Sequence, residues 1–351
     1  MNMKSLMEED IKSQGKIIAN LINKYVVNYC VLLDVPLLIK KIVFVASGSS
    51  YNASVFGKYF VENIAQIEAS AEYASEFSIS NLTNYDPETL YVFISQSGNS
   101  SDVVKSFEKV KEKGAKTLCI TNNSSSKLYN ECEFKFLLEA GAEKAIAATK
   151  TFSATVMMLW LIAVKIAQNK HLDVTLEVKN IYKVESEINS TLNDIANLDV
   201  VAKLLSKQKD FSLVGYSYNY PLAREAALKI KELNYINTSS YPLGEFVHGH
   251  FALLNKSKVF LAFVTGEVTP LEKELLQKVI STYKPKTILI TDEYEDYNSD
   301  ILLKFPKATS KISTILSSII TLQLLALEIA QKLKRNIDKP KGLLKVVENK
   351  E

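Results

Sequence analysis

Two short serine-rich segments follow apolar runs of the sequence and have the composition of phosphate-binding turns. They are residues 47–50 (SGSS) and residues 95–101 (SQSGNSS). At the start of a helix, unpaired backbone N–H groups and the positive end of the helix dipole attract a phosphate, and serine hydroxyls add donors. Ordinary helix capping is the alternative interpretation, because Ser and Asn are preferred N-caps. Two such turns in one domain favour phosphate, and neither matches a P-loop or a GxGxxG motif, so a nucleotide is not indicated.

A second group of candidate residues lies on a predicted helix in the second half of the chain. Glu225, Lys229 and Glu232 are spaced by four and three residues, so they share one helix face. Such a pattern usually forms a solvated ladder of ion pairs. The small residues beside it would also permit close packing around a partly buried acid that carries protons. The pattern alone leaves both interpretations open.

Two of the three histidines, His248 and His250, lie in the glycine-containing segment at residues 244–250 (GEFVHGH). A loop that holds His and Glu suits an acid–base site or half of a metal site. A metal would need further ligands, and the sequence contains no HExxH motif and no Cys/His cluster. We therefore expect no metal and no redox cofactor.

The elements that must position these residues are visible as continuous apolar runs. They occur at residues 42–46, 90–94, 117–120, 211–214, 259–264 and 287–290. Runs of this kind are typical of strands buried on both faces of a parallel sheet. Helical patterns separate them, so the sequence predicts an α/β fold, with three-layer α/β/α sandwiches around a mainly parallel, doubly wound sheet. Both serine turns would then open at the carboxyl ends of neighbouring strands, where ligands bind.

The order of strand, turn, helix and strand is repeated in the two halves of the chain. Residues 92–122 parallel residues 259–292, and a period of this length predicts two duplicated domains rather than a solenoid. The predicted segments are a helical lead-in at 1–40, a first domain at 41–171, a helical connector at 172–200, a second domain at 201–335 and a tail at 336–351 that closes the site.

Composition limits the classes of function. Of 351 residues, 47% are hydrophobic and 23% are charged, which is typical of globular domains, and a net charge of +3 in mixed order gives no face for nucleic acid. Cys30, Cys119 and Cys132 lack CxxC spacing, which indicates a reducing compartment, and we expect a cytoplasmic protein. The apolar stretches at 153–167 and 312–330 fit buried helices better than membrane spans.

Six segments, taken in order, resemble the sugar isomerase (SIS) domain family, and most closely the isomerase half of glucosamine-6-phosphate synthases. The resemblance covers nearly the whole chain and implies two SIS domains that bind a hexose 6-phosphate. The segments begin at Ala46 (ASGSSYNA), Ile94 (ISQSGNSSD), Glu139 (EAGAEKAIAATKTF), Pro221 (PLAREAALKIKELNYI), Tyr241 (YPLGEFVHGHFALL) and Asp338 (DKPKGLLKV).

The resemblance also implies roles for individual residues. Glu232 would be the base that moves a proton between C1 and C2 of the sugar, with Lys229 and Glu225 beside it. His248 would open the sugar ring, reaching into the site of the neighbouring subunit in a homodimer. Lys345 would form a Schiff base with the open-chain ketose. The implied substrate-binding residues are Ser49, Ser50, Ser95, Gln96, Ser97, Ser100, Ile146, Ala148, Thr149 and Lys150.

Some positions depart from the family pattern, and these concern the substrate more than the class of reaction. Ala148 stands where the synthases usually have serine, Lys341 where they have arginine, and His250 where they have proline. Synthases also begin with a glutaminase domain that this sequence does not show. The leading hypothesis is therefore an isomerising deaminase that converts glucosamine 6-phosphate to fructose 6-phosphate and ammonia.

Three other functions are compatible with the same motifs. A fructosamine-6-phosphate deglycase would use the same proton chemistry, and so would a simple isomerase of fructose and glucose 6-phosphates. A sugar-phosphate-sensing module is the non-enzymatic alternative. The residues before the first strand lack a basic recognition helix, which argues against a DNA-binding regulator. The retained acid, histidine and terminal lysine favour an enzyme. We expect no nucleic-acid partner and no membrane partner.

Overall fold

The computed structural model describes residues 5–80, 85–293 and 297–343, which form two compact units. The first unit contains Lys16–Glu143 and Lys150–Tyr182, and the second contains Lys144–Thr149, Lys183–Leu343 and the chain up to Gly15. These units describe how the chain packs, and the domain limits given above stay predictions.

The first half of the chain alternates strands and helices around one five-stranded sheet. Its strands are β1 (Val26–Val27), β2 (Cys30–Val31), β3 (Lys41–Ala46), β4 (Glu68–Tyr73), β5 (Thr89–Ile94), β6 (Lys116–Thr121) and β7 (Phe134–Leu137). Strands β1 and β2 pair separately as a two-stranded antiparallel sheet. Its helices are α1 (Leu6–Lys12), α2 (Gln14–Tyr25), α3 (Gly48–Phe60), α4 (Ala74–Ile79), α5 (Ser101–Glu112), α6 (Lys127–Glu131), α7 (Lys150–Asn169) and α8 (Thr175–Lys179).

The second half repeats this alternation. Its strands are β8 (Asp210–Gly215), β9 (Asn237–Pro242), β10 (Val259–Phe263), β11 (Lys286–Thr291) and β12 (Ile301–Lys304). Its helices are α9 (Val184–Asn193), α10 (Leu198–Leu205), α11 (Asn219–Asn234), α12 (Leu243–Phe246), α13 (Pro270–Tyr283) and α14 (Lys311–Lys332).

The first sheet is parallel and has the strand order β4-β3-β5-β6-β7. After β3 the chain adds β4 on one side and then returns to add β5 on the other, so the strand order reverses between β3 and β5. Ala46 and Ile94, the last residues of these two strands, are paired in register. Crevices at such switch points are where open α/β sheets bind ligands.

The second sheet has the order β12-β11-β10-β8-β9, which is the same topology, and its strands are also parallel. Its switch point lies between β8 and β10, where Gly215 pairs with Phe263. The prediction of an α/β fold with two duplicated parallel sheets is therefore confirmed. The six predicted apolar runs correspond to the three inner strands of each sheet, and the four edge strands lie outside them.

Two long apolar helices form the interior of the units. Both α7, with 20 residues, and α14, with 22 residues, are long and apolar enough to cross a membrane by length and composition. In each, 89% of the most apolar window is buried inside the protein. Packing of α7 against α3 in the first unit, and of α14 against α9, α10 and α11 in the second, accounts for that burial.

Candidate functional site

The first serine turn connects β3 to α3 at the switch point of the first sheet. Ser47 occupies the N-cap position of α3, yet its side chain makes no capping hydrogen bond. Its hydroxyl donates instead to the Asp102 carboxylate in the first turn of α5. Ser49 and Ser50 follow on the first turn of α3 and are half-buried. This hydrogen bond thus links the first serine turn to the helix that follows the second.

The second serine turn connects β5 to α5 and gathers three hydroxyls. Ser95 is buried, and its Oγ lies 3.0 Å from Ser100 Oγ and 3.4 Å from Ser97 Oγ. The same oxygen accepts the backbone N–H of Gly98 at 3.1 Å. Because serine hydroxyls can rotate to donate a hydrogen bond, the three hydroxyls of this turn are donors that suit a phosphate.

The backbone of this second turn is held from behind by the chain that follows β6. The Gln96 carbonyl accepts the N–H of Asn122 at 3.0 Å and the hydroxyl of Thr121 at 3.3 Å. Gly98 has φ +67°, and a Cβ placed there would lie 2.1 Å from Ser126 Oγ, so the position requires glycine. The sequence pattern predicted the serines of this turn. It did not predict the supporting residues, because they come from another part of the sequence.

Ordinary capping does not describe the two serine turns. At four other helices the N-cap hydroxyl accepts the N–H of the residue three positions later, as expected of a cap. Neither Ser47 nor Ser100 makes such a bond. Those four helices are α1 (Ser5), α6 (Ser126), α13 (Thr269) and α14 (Ser310).

In the first unit, Glu143 fixes the start of α7, where the predicted site residue Lys150 lies. Its buried carboxylate accepts the backbone N–H groups of Lys150 and Thr151, each at 3.2 Å, and the hydroxyl of Thr151. A carboxylate at this position satisfies N–H groups that a helix leaves unpaired and complements its dipole. Lys150 is itself buried.

The short segment at residues 144–149 belongs to the second unit. Thr149 is buried, while Ile146 and Ala148 are partly exposed. The partly exposed pair alternates with the buried residues Ala145, Ala147 and Thr149, and its role in substrate binding stays a prediction.

The acid cluster lies on α11, and it is buried rather than solvated. Lys229 Nζ lies 3.5 Å from Glu225 Oε1 and also donates to Glu232 Oε2. The side chains of Glu225 and Lys229 are each 1% exposed, whereas that of Glu232 is 20% exposed. A solvated ladder of ion pairs is therefore the wrong interpretation. The helix face presents one accessible carboxylate, backed by a buried ammonium group and a second buried carboxylate.

The start of α11 lies very close to Gly215, the last residue of β8. A Cβ on Gly215 would lie 2.1 Å from the carbonyl oxygen of Asn219, the first residue of the helix. Only glycine permits that approach. The helix therefore begins directly at the switch point of the second sheet.

The histidine loop follows α12 in the second unit. His248 is exposed, whereas His250 is half-buried and stacks on Tyr241 with ring centroids 4.1 Å apart. Lys345, the predicted Schiff-base lysine, lies outside the described residues. Within residues 5–80, 85–293 and 297–343, no three His, Cys, Asp or Glu side chains are grouped so as to hold a metal ion.

The structure thus assembles two sets of predicted residues, each within one unit. In the first unit, the serines of the two turns meet at the β3–β5 switch point. In the second, Glu225, Lys229 and Glu232 form one cluster, in which only Glu232 is partly exposed. The first set has the chemistry of an anion site, and the second has the chemistry of proton transfer.

Comparison with known proteins agrees with these features. Residues 39–165 and 204–333 match the model of the SIS domain family. The glutamine–fructose-6-phosphate aminotransferase [isomerizing] of Aquifex aeolicus is 33% identical over 313 residues, which are 88% of this chain and 52% of that protein. The Campylobacter jejuni protein of the same name is 31% identical over 310 residues, covering 88% and 51%. The chain spans about half the length of these relatives.

Solved structures show the same fold. The C-terminal domain of the Francisella tularensis glucosamine-fructose-6-phosphate aminotransferase has a TM-score of 0.89 at 27% identity, covering 96% of this chain and 99% of its own. The glucosamine-6-phosphate deaminase of Thermotoga maritima has a TM-score of 0.75 at 22% identity, covering 98% and 99%. At that lower identity, the likeness concerns the fold alone.

Proposed function

Because the chain belongs to the SIS domain family, we propose that it is a phosphosugar isomerase that acts on an amino-hexose 6-phosphate. The reaction is the conversion of glucosamine 6-phosphate and water to fructose 6-phosphate and ammonia. The cluster of Glu225, Lys229 and Glu232 is the observation that carries this proposal. A module that only senses a sugar has no need of an accessible carboxylate, Glu232, backed by a buried lysine and a second buried carboxylate.

The serine turns hold the 6-phosphate. Hydroxyls of Ser95, Ser97 and Ser100 lie close together at the start of α5 and supply donors to a dianion. The N-terminal ends of α3 and α5 add their dipoles, since neither helix has a capping side chain. Phosphate binding at one end of the substrate then places C1 and C2 for reaction.

Proton transfer is the task of the acid cluster. His248 opens the sugar ring, and Glu232 takes the proton from C2 of the open-chain amino sugar and returns it to C1. The amine-bearing C2 thereby becomes an imine carbon. Lys229 offsets negative charge on Glu232, to which it donates a hydrogen bond, so that the carboxylate stays in one orientation during the transfer.

Release of ammonia completes the reaction. The Lys345 amine attacks the C2 imine, the C2–N bond to the substrate nitrogen breaks, and ammonia leaves. Water then hydrolyses the lysine imine and frees fructose 6-phosphate and the amine. The proposal includes a cytoplasmic homodimer in which His248, exposed in each chain, contributes to the neighbouring subunit's site.

The test measures release of ammonia and fructose 6-phosphate from glucosamine 6-phosphate, beside release of the amine from a fructosamine 6-phosphate. We expect turnover of the amino sugar, loss of it in Lys345→Ala and retention in Lys203→Ala, which removes an exposed lysine. Turnover of the fructosamine alone would identify a deglycase. If neither compound reacts while both raise the melting temperature, the protein is a sensor or an isomerase of another sugar.

A further inference from the structure

His250 departs from the family pattern given above, and the proposed reaction does not use it. Its imidazole ring is half-buried and stacks on the ring of Tyr241, with centroids 4.1 Å apart and an angle of 27° between the two planes. His248, two positions earlier in the same loop, is exposed. One histidine of the loop is therefore packed on the second unit, and the other is open to solvent.

Tyr241 connects this stack to the hydrophobic core of the second unit. It lies on β9, which pairs with β8 along its whole length. Its ring centroid is 5.5 Å from that of the buried Phe246, which in turn lies 5.5 Å from the ring of Phe260 on the central strand β10. A row of four aromatic rings therefore runs from His250 to the middle of the sheet.

The loop that carries His248 has little else to hold it. Residues 247–253 are all partly or fully exposed. The backbone N–H of His248 donates to the carbonyl of Glu245 at 3.0 Å, which is a local bond across three positions. Gly249 has φ +124°, a conformation that glycine adopts far more readily than other residues, so the backbone can change direction directly after His248. The position of His248 therefore depends on contacts made by the residues that follow it.

Two ring contacts hold the second part of the loop. His250 stacks on Tyr241, and the ring of Phe251 lies 5.0 Å from that of Tyr283 on α13. Of the two, the contact of His250 is nearer along the chain to His248, from which a single residue separates it. An aromatic pair of this kind changes an equilibrium between conformations by up to about tenfold.

We propose that His250 is a positioning residue for His248: by stacking on Tyr241, it fixes the loop so that the His248 imidazole stays where it opens the sugar ring. This inference rests on the proposed function, in which His248 performs that step. His250 acts through His248 and does not touch the substrate.

Ring opening of fructose 6-phosphate is a proton transfer that needs no further reactant. The C2–O5 bond breaks and its electron pair goes to O5, which takes a proton, while the C2 hydroxyl loses its proton and becomes the carbonyl. An imidazole held in one place can receive the proton of the C2 hydroxyl and supply the proton to O5. Small errors in the placement of such a group are expensive in rate.

The test compares a ketose that must open with one that is always open. In reverse, the proposed reaction removes a proton from C1 of the open-chain ketose, and in deuterium oxide deuterium replaces it. Fructose 6-phosphate must open first, whereas 5-deoxyfructose 6-phosphate lacks the hydroxyl that closes the ring. Proton NMR measures loss of the C1 hydrogen signal from each compound at saturating concentration. The ratio of the two rates reports ring opening separately from proton transfer at C1.

Three substitutions separate positioning from a merely structural role. His250→Asn removes the ring and keeps a polar side chain, whereas His250→Phe keeps a ring for the stack and removes both nitrogens. Tyr241→Leu removes the partner ring. The matched control is His171→Asn, the same substitution at an exposed histidine of the first unit, where asparagine tolerates the φ of +58°. Melting temperatures establish that each variant is folded.

We expect His250→Asn to lower exchange from fructose 6-phosphate about five- to tenfold and to leave exchange from the deoxy analogue unchanged. His250→Phe should recover most of the wild-type rate, and His171→Asn should keep all of it. In the Tyr241→Leu background, His250→Asn should add little, because the stack is already lost. If Tyr241→Leu does not fold, the two His250 variants decide.

Three results would overturn the proposal. The first is a wild-type ratio of the two rates in His250→Asn. The second is an equal fall for both compounds, which indicates a general loss of structure. The third is a failure of His250→Phe to recover the rate, which would mean that the nitrogens of the imidazole matter and the stack does not.

His248→Ala separates this inference from the proposed function. It should lose exchange from fructose 6-phosphate alone. If His248→Ala shows this loss and His250→Asn does not, the proposed function stands and the role of His250 is wrong. If His248→Ala exchanges both compounds at wild-type rates, proton transfer at C1 stands, and the roles of both histidines are wrong. No exchange from either compound in the wild type would overturn the proposed proton transfer and, with it, this inference.

Discussion

The two switch points of the molecule have the same strand topology and opposite side-chain chemistry. At the first, between β3 and β5, serine hydroxyls converge and no carboxylate is fully buried in the turns. At the second, between β8 and β10, Asn219 and Thr265 close on each other: Thr265 Oγ1 donates to Asn219 Oδ1 at 2.6 Å, and Asn219 Nδ2 donates to the Thr265 carbonyl at 3.3 Å.

The second switch point also contains two buried acids. Asp292 accepts the N–H of Gly266 at 2.8 Å, and burial raises the pKa of its carboxyl. Glu272 is 3% exposed, and its Oε1 has no hydrogen-bond partner. Burial raises the pKa of Glu272 to about 7, against the lowering effect of hydrogen bonds from the Thr269 backbone and the Asn219 side chain.

This difference shows that a switch point offers a location for a ligand, and that the side chains around it decide whether a ligand can bind there. In the first copy the turns bring several serine hydroxyls together, and these can reorient to donate to an anion. In the second copy Asn219 and Thr265 bond to each other, and buried carboxyls disfavour a phosphate. The second copy contributes α11 instead, with its acid cluster. Under the proposed function, binding and proton-transfer chemistry are divided between two copies of one fold.

The largest expected effect comes from removing the accessible acid of the second copy. Glu232→Gln should lower kcat by about 10²- to 10⁴-fold, because a positioned general base contributes that much, and should leave the affinity for fructose 6-phosphate nearly unchanged. Steady-state kinetics and calorimetry measure the two quantities.

The matched control for this variant is Glu328→Gln, which removes a partly exposed carboxylate 3.1 Å from Lys332 on α14. It should retain full activity. Full activity of Glu232→Gln would mean that another residue transfers the proton. The proposed division, with phosphate binding in the first copy and proton transfer in the second, would then be wrong.

The buried acid of the second switch point should make stability depend on pH. The unfolded chain releases the Glu272 proton near pH 4.5 and the folded protein keeps it until about 7, so stability falls as pH rises between these values. Glu272→Gln removes this loss. At pH 8 the variant should be more stable than the wild type by up to about 3 kcal/mol, and at pH 4 the two should be similar.

Urea unfolding across this pH range measures the effect of Glu272→Gln. Glu274→Gln, two positions along the same helix and exposed, is the control and should follow the wild type. If the free energy of unfolding changed with pH in the same way in the wild type and in Glu272→Gln, the pKa of Glu272 would not be raised in the folded protein. The two switch points would then not differ in electrostatics.

The smallest expected effect is on the affinity for fructose 6-phosphate, when one serine hydroxyl is removed from each copy in turn. A hydrogen bond to a charged group contributes about 1.5–3 kcal/mol, so Ser97→Ala should raise the Kd of fructose 6-phosphate about 10- to 100-fold. Ser217→Ala, in the exposed turn after β8, should change it little. Equal effects of both substitutions on calorimetric affinity would contradict the assignment of phosphate to the first copy alone.

The inner strands of both sheets were predictable and the edge strands were not, for one physical reason. An inner strand such as β5 is buried along its whole length and reads as a continuous apolar run. Edge strands such as β4 (EASAEY) and β9 (NTSSYP) are partly exposed, so polar residues are tolerated there and the apolar signal is lost. Strand order, by contrast, is not encoded in any local pattern.

The candidate site was predictable in its residue types and only partly in its geometry. The serine turns and the spacing of Glu225, Lys229 and Glu232 are local features of the sequence. Their supporting contacts are not, since Asp102 meets Ser47 across 55 positions. The role of Lys345, which lies outside the described residues, stays a prediction that the Lys345→Ala variant tests.

By itself, the sequence determined the α/β class, the duplicated order of elements, the six inner strands and the residues able to do chemistry. Only the tertiary structure decided that the ion-pair pattern on α11 is buried, that Ser47 and Ser100 do not cap their helices, and that Asp338 binds the N–H of Met7, 331 positions away. Periodicity and turn chemistry act between near neighbours, whereas burial and the choice of a hydrogen-bond partner depend on residues that only folding brings together.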